Sequence, residues 1–189
     1  MTHQAQCGMH VQMHKGAAFR RFDHYQITVP NVRKTAVFYT SLGFRIADYL
    51  TARDHPMGVF LHMKNTPYDI VFMEWDGPAV HHFGDIVSDI PSVLRACGII
   101  GKLGWGEDVE FGPGKHSLSH SYYVYLLDPG GHRVELLLPP IVYMGGADLP
   151  VVWDVRAVKS SVEAGACRRA RSGSRSARAS SIARSPTRR

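Results

Sequence analysis

Apolar and polar residues alternate from Asp23 to Val29, in Asp-His-Tyr-Gln-Ile-Thr-Val, and the run stops at Pro30. Period-two alternation of that length predicts a strand with one buried face. From about Val32 to Leu42 the period lengthens, and Val37, Phe38 and Leu42 fall on one stripe of a predicted helix. Gly43 follows where a C′ residue would close that helix. Three more strands are predicted at Phe44–Leu50, Gly58–Met63 and Asp69–Phe72. The succession then repeats. A strand at Val80–Ile86 leads to a helix from about Ile90 to Ala96, with Gly98 just beyond its end. Strands near Val109–Phe111, Tyr122–Leu127 and Arg133–Leu138 complete the second unit.

Each unit reads β-α-β-β-β, which predicts an α+β domain made of two βαβββ modules, at about residues 20–75 and 76–140. Two curved sheets facing each other would form an open half-barrel, with alternate strand residues pointing into the concavity. His24 and His82 lie 58 residues apart, at matching places in the first strand of each unit. Glu135 lies in the last strand, His-Arg-Val-Glu-Leu-Leu-Leu. Taken singly, a strand histidine is ordinarily a hydrogen-bonded core or edge residue. Taken together, two imidazoles and one carboxylate pointing into one concavity form a facial metal triad that leaves the opposite positions open.

Charge alters the picture only once it is located. The chain of 189 residues carries a net +6, but Arg168 to Arg189 holds eight arginines and no acidic residue. Without that stretch the net charge is −2, so the folded part is mildly acidic. Beyond Val152-Trp153-Asp154-Val155 the composition turns to Arg, Ser, Ala and Gly, too polar to offset its ordering entropy, so residues 156–189 are expected to be disordered. That tail lacks interleaved aromatics and any recognition fold, which favours a solvated segment over a nucleic-acid arm. Residues 1–19 read as a flexible polar leader with no apolar signal region, and residues 20–155 as the folded domain with a short C-terminal segment. No apolar run is long enough to span a bilayer. Cys7, Cys97 and Cys167 are odd in number and far apart, which argues against a disulfide framework and for a cytoplasmic setting.

The stretch Gly114 to Glu135 carries more than strand pattern. It reads Gly-Lys-His-Ser-Leu-Ser-His-Ser-Tyr-Tyr-Val-Tyr-Leu-Leu-Asp-Pro-Gly-Gly-His-Arg-Val-Glu. Gly114 two before His116, then Val124-Tyr125, Asp128-Pro129, Gly131 and Glu135, resembles position by position the signature of the type I extradiol ring-cleaving dioxygenases of the vicinal oxygen chelate superfamily. Asp23-His24-Tyr25 and His81-His82 resemble its first and second ligand motifs, and the resemblance covers roughly Arg20 to Asp154. It implies Fe(II), with Mn(II) as the next choice, held by His24, His82 and Glu135. It further implies an aromatic diol and O2 as substrates, cleavage of a catecholic ring beside the diol to a muconic semialdehyde type of product, and a homo-oligomer.

By the same resemblance His116 would steer or deprotonate a substrate hydroxyl, and Tyr125 would hydrogen-bond an oxygen at the metal. Gln26, two residues from His24, and Phe60 would line the substrate pocket. His81 points to the other face by strand alternation and reads as structural. Asp128-Pro129-Gly130-Gly131 reads as a turn that sets the register of the Glu135 strand. There are three departures from the family. Many members carry an extra module pair ahead of the catalytic one, members close the pocket with an ordered C-terminal segment, and Tyr68 stands where related enzymes have a catalytic histidine. A phenol shuttles protons poorly at neutral pH, so Tyr68 is expected to keep only a hydrogen-bonding role. The alternatives are a metal-dependent isomerase or transferase, or a ligand-binding protein, of the same superfamily.

Overall fold

The computed structural model describes residues 16–140, 149–156 and 158. The first strand, β1 (Phe19–Val29), is followed by α1 (Val32–Ser41), β2 (Arg45–Ala52), β3 (His55–His62) and β4 (Ile70–Glu74). The second unit repeats the order with β5 (Ala79–Val87), α2 (Ile90–Lys102), β6 (Val109–Lys115), β7 (Tyr122–Leu127) and β8 (Arg133–Leu137). A ninth strand, β9 (Val151–Asp154), was not expected from the sequence. Most of the leader and of the basic tail expected from the sequence, residues 1–15 and 159–189, lies outside the described residues.

The strands form one open, mixed sheet in the order β6-β7-β8-β5-β1-β4-β3-β2-β9. The two modules therefore do not make separate facing sheets. They join edge to edge through the antiparallel β1–β5 pair, where His24 lies opposite Gly84 and Gln26 opposite His82. Within each module the first and last strands run parallel, with Gly84 beside Glu135 in one and Gln26 beside Val71 in the other. Strand alternation then places His24, Gln26, His82 and Glu135 on a single face.

Both helices cover the other face. Val32 and Ala36 of α1 pack with Val59, Leu61, Ile70 and Phe72, and Val93 and Ala96 of α2 pack with Val87, Val124, Leu126 and Leu136. The N-termini are capped as their residues favour. The Lys34 N–H donates to the Asn31 side chain, and Ser92 donates to Asp89 through both N–H and hydroxyl. Gly43 closes α1 with φ +97°, as its place after the helix predicts.

Two features of the helices differ from the sequence reading. Val37, Phe38 and Leu42 are more than half exposed, because the buried stripe runs through Val32, Ala36 and Tyr39 instead. Helix α2 continues past Gly98 and Gly101, because Cys97 and Ile100 extend the Val93–Ala96 stripe onto the core. That packing outweighs the ~1 kcal/mol that each internal glycine costs. The helix stops at Gly104, where φ is +82°.

Candidate metal centre

Three ligand atoms converge on the open face. His24 Nε2 and His82 Nε2 stand 3.1 Å apart, and Glu135 Oε2 lies 3.4 Å from the first and 3.3 Å from the second. Ligands about 2.1 Å from a metal and at right angles to one another stand about 3.0 Å apart, so this triangle fits one face of a metal's coordination sphere. Among the described residues it is the one group of three such side chains placed to hold a metal. All three are buried. Their charges sum to −1 with neutral imidazoles, leaving +1 on a bound divalent ion.

Hydrogen bonds fix both imidazoles from behind. His24 Nδ1 lies 3.1 Å from Asp23 Oδ2, and Asp23, fully buried, is paired with Arg21 at 2.8 Å. His82 Nδ1 lies 2.7 Å from His81 Nδ1, and Arg133 Nη1 lies 2.8 Å from His81 Nε2 while its other nitrogens pair with Glu110. Such outer partners set which ring nitrogen faces the metal. Burial opposes charge on His24, but the hydrogen bonds and charges of Asp23 and Glu135 outweigh it and raise its pKa to about 9. Burial lowers that of His82, against the pull of Glu135. Burial also works against the Glu135 charge, yet hydrogen bonds from His116, His24 and His82 hold the carboxyl well below its usual range.

The chain also positions its other candidate groups around Glu135. His116 Nε2 lies 2.6 Å from Glu135 Oε1, and its ring stacks on Tyr123 at 3.8 Å between centroids. Tyr125 stands with its ring 5.2 Å from His82, and burial and Glu135 raise its phenol well above 10, so it stays an O–H donor at neutral pH. Tyr68 sets its ring edge-on to His24 at 6.3 Å and 4.9 Å from Phe60. Its hydroxyl donates to Asp48 Oδ2 at 2.9 Å.

A family profile described as Glyoxalase/Bleomycin resistance protein/Dioxygenase superfamily matches residues 21–136. The chain belongs to this superfamily. It is similar to a manganese-dependent 2,3-dihydroxybiphenyl 1,2-dioxygenase of Geobacillus genomosp. 3, at 26% identity over 140 residues, 64% of this chain and 40% of that one. A metapyrocatechase of Pseudomonas sp. (strain CF600) is 29% identical over 147 residues, covering 74% of this chain and 45% of the relative. A solved variant of homoprotocatechuate 2,3-dioxygenase from Brevibacterium fuscum superposes with a TM-score of 0.72 at 25% identity, over 78% of this chain and 41% of that chain. The chain thus spans less than half the length of the curated relatives it matches.

The superfamily residues expected from sequence do gather here. His24, His82 and Glu135 meet at one point, with His116 and Tyr125 beside the carboxylate, Gln26 across from His82 and Phe60 against Tyr68. Gly112-Pro113-Gly114 forms a bulged part of β6, where Gly114 lets the Tyr123 ring come close. Two expectations change. His81 is not turned away, since its ring nitrogen meets that of His82. The one hydroxyl proton of Tyr68 goes to Asp48 rather than into the metal pocket.

Residues to which the sequence reading gave no role of their own include Gly84, Asp23, Arg133 and Tyr123. A Cβ at Gly84 would lie 2.6 Å from Cε1 of the His24 ring, so the missing side chain makes the space that the ligand fills. A lone glycine inside a strand pattern, two residues from a candidate ligand, was the available signal for it. Asp23, a carboxylate just before a strand histidine, was another. No helix among the described residues is long and apolar enough to cross a membrane.

Proposed function

We propose that this chain is the metal-bearing catalytic part of an extradiol dioxygenase that opens an aromatic diol with O2. His24, His82 and Glu135 would hold Fe(II), with Mn(II) as the next choice. The convergence of their three atoms to within 3.1–3.4 Å, with the positions opposite left open, carries this reading. Bound there, the metal supplies chelation of the two adjacent ring oxygens and the electron flow from ring to O2 that side chains alone cannot provide.

The chain's own groups supply the rest. Glu135 holds His116 at 2.6 Å, and Tyr123 holds the ring flat, so that an imidazole stands ready to take a substrate hydroxyl proton and return it. Tyr125, kept protonated by burial and by Glu135, donates a hydrogen bond on the same side. Gln26 and Phe60 border the diol from the first module, and Tyr68 contributes ring surface. The ring would open beside the diol, taking up both oxygen atoms, to a muconic semialdehyde type of product. Similarity to the metapyrocatechase and to the manganese-dependent 2,3-dihydroxybiphenyl 1,2-dioxygenase supports the substrate class, and the second of these names supports Mn(II) as a metal for such a site.

A panel of substituted catechols, incubated with Fe(II)-loaded protein and ¹⁸O-labelled O2, tests it by mass spectrometry. A ring-opened product carrying both labelled atoms is expected. Intact catechol across the whole panel, in protein holding one metal per chain, would favour an isomerase or binding role instead.

A further inference from the structure

Asp48 is a carboxylate only 3% exposed, away from the metal ligands, and both of its partners are neutral. The Trp153 indole N–H donates to Oδ1 at 2.8 Å and the Tyr68 hydroxyl to Oδ2 at 2.9 Å. Taking a carboxylate out of water without a cation is costly, and an apolar side chain of similar size is often no worse for stability. Packing therefore gives no reason for an acid here. What an aspartate does, and neither an amide nor an apolar residue does, is accept a hydrogen bond at each of its two terminal atoms.

Those donors come from different parts of the fold. Trp153 lies on β9, the edge strand, paired in parallel with β2 so that Asp48 stands opposite Val151. Little else secures that strand from the side: Leu149, Val151 and Val152 are exposed, although the Thr51 hydroxyl donates to the Trp153 carbonyl at 3.2 Å. Tyr68 lies just before β4, buried, with its ring against His24 and Phe60. Beyond β9 the backbone comes within reach of the loop holding His116, where the Ser117 hydroxyl meets the Val158 carbonyl at 3.5 Å. The C-terminal segment thus touches both flanks of the metal pocket.

We propose that Asp48 is a positioning residue that ties the seating of β9 to the shape of the metal pocket, by holding Trp153 on one oxygen and Tyr68 on the other. With β9 seated, the Tyr68 hydroxyl is held on Asp48 and its ring forms a fixed wall beside the first ligand. With β9 unseated, the wall loosens. This rests on the proposed catechol reading only for the ligand used in one arm of the test.

That arm measures anaerobic binding of catechol to the full chain loaded with Fe(II). Trp153→Phe, at the far end of the link, is expected to weaken catechol binding about tenfold, the worth of one hydrogen bond to a charged group. Asp48→Leu should do the same, and the double variant no more than either alone, with metal content unchanged in all three. Unchanged binding in Trp153→Phe, or losses that multiply in the double variant, would overturn the link. The other arm needs no catechol. With Trp75→Phe and Trp105→Phe, Trp153 is the sole indole, and Tyr68→Phe should raise its quenching by acrylamide at least twofold. Unaltered quenching overturns the proposal even if the protein binds no catechol, an outcome that would separately remove the dioxygenase reading.

Discussion

The two modules share a scaffold and differ in chemistry. His24 and His82 occupy equivalent places, and each lies across the β1–β5 pair from the residue two positions beyond the other, Gly84 and Gln26. The parallel neighbour of Gly84 is Glu135, whereas that of Gln26 is Val71. Where the second module offers a carboxylate, the first offers a buried valine packed with Ala47 and Tyr68. Near-symmetry would supply four ligand positions, and the sequence makes three of them polar. The fourth is an apolar wall. Duplication thus brings the histidines together, and divergence at a single pair of positions decides which side of the site stays open for a ligand.

The hardest test of that contrast is Glu135→Val, which makes the second module match the first. It removes the one carboxylate of the candidate triad and the group that His116 meets at 2.6 Å, so metal should be lost. The loss should exceed the roughly 10- to 100-fold that a supporting residue costs. Metal analysis and Mn(II) titration measure it. A variant still holding about one metal per chain would mean that the two halves contribute alike and that the carboxylate is incidental.

Gly84 and Gln26 give the next contrast. Gly84→Ala puts a methyl 2.6 Å from the His24 ring, which must tilt or retreat, and Mn(II) affinity should fall by about 10- to 100-fold. Gln26→Ala removes atoms from the equivalent place and should change affinity no more than a few-fold. Equal effects in the two variants would show that the glycine is not there to make room for the imidazole.

Much of this was legible in the sequence because it rests on alternation and spacing. The strand order of each module and the Asp128–Gly131 turn, closed by the Gly131 N–H on the Asp128 carbonyl, follow from local pattern, and the candidate triad from strand placement together with the resemblance around Glu135. What was missed depends on partners distant along the chain. Gly84 matters only because β1 lies beside β5, and His81 turns toward His82 only because Arg133 and Glu110 hold it. Strand β9 has no strand-like alternation and exists through its ladder with β2. The stripe on α1 was misplaced because apolar Val37 and Phe38 read as core, whereas small Ala36 is what lets the helix lie close to the sheet.

Proton competition sharpens the asymmetry further. A metal needs a neutral imidazole, and in the metal-free chain His24 holds its proton up to about pH 9, while burial lowers the pKa of His82. Mn(II) affinity should therefore fall about tenfold per unit as pH drops below 9, and flatten above it. The metal-free chain should behave in the opposite sense. The folded pKa of His24 lies above its unfolded value, so its contribution to stability is complete below pH 6.5 and is lost as pH rises through about 9. Titration calorimetry and melting curves at pH 6.5, 8, 9 and 10 check both. Asp23→Asn removes one cause of the raised pKa and should move both transitions to lower pH. No shift would place the proton elsewhere.

The smallest effect concerns the helices, whose buried stripes differ although their modules match. In α1 the sheet-facing residues are Val32, fully buried, and Ala36, while Val37 and Phe38 are 66% and 58% exposed. Val32→Ala should cost roughly 2 kcal/mol through the lost methyls and the space they leave. Val37→Ser and Phe38→Ser should each stay within about 0.5 kcal/mol, since neither removes a buried contact. Urea unfolding at a low protein concentration measures all three. The order carries the information: if Phe38→Ser cost as much as Val32→Ala, Phe38 would have to be buried in solution. Repeating the measurement at higher protein concentration would then show whether another copy of the chain covers it, because only an intermolecular contact makes that cost grow with concentration.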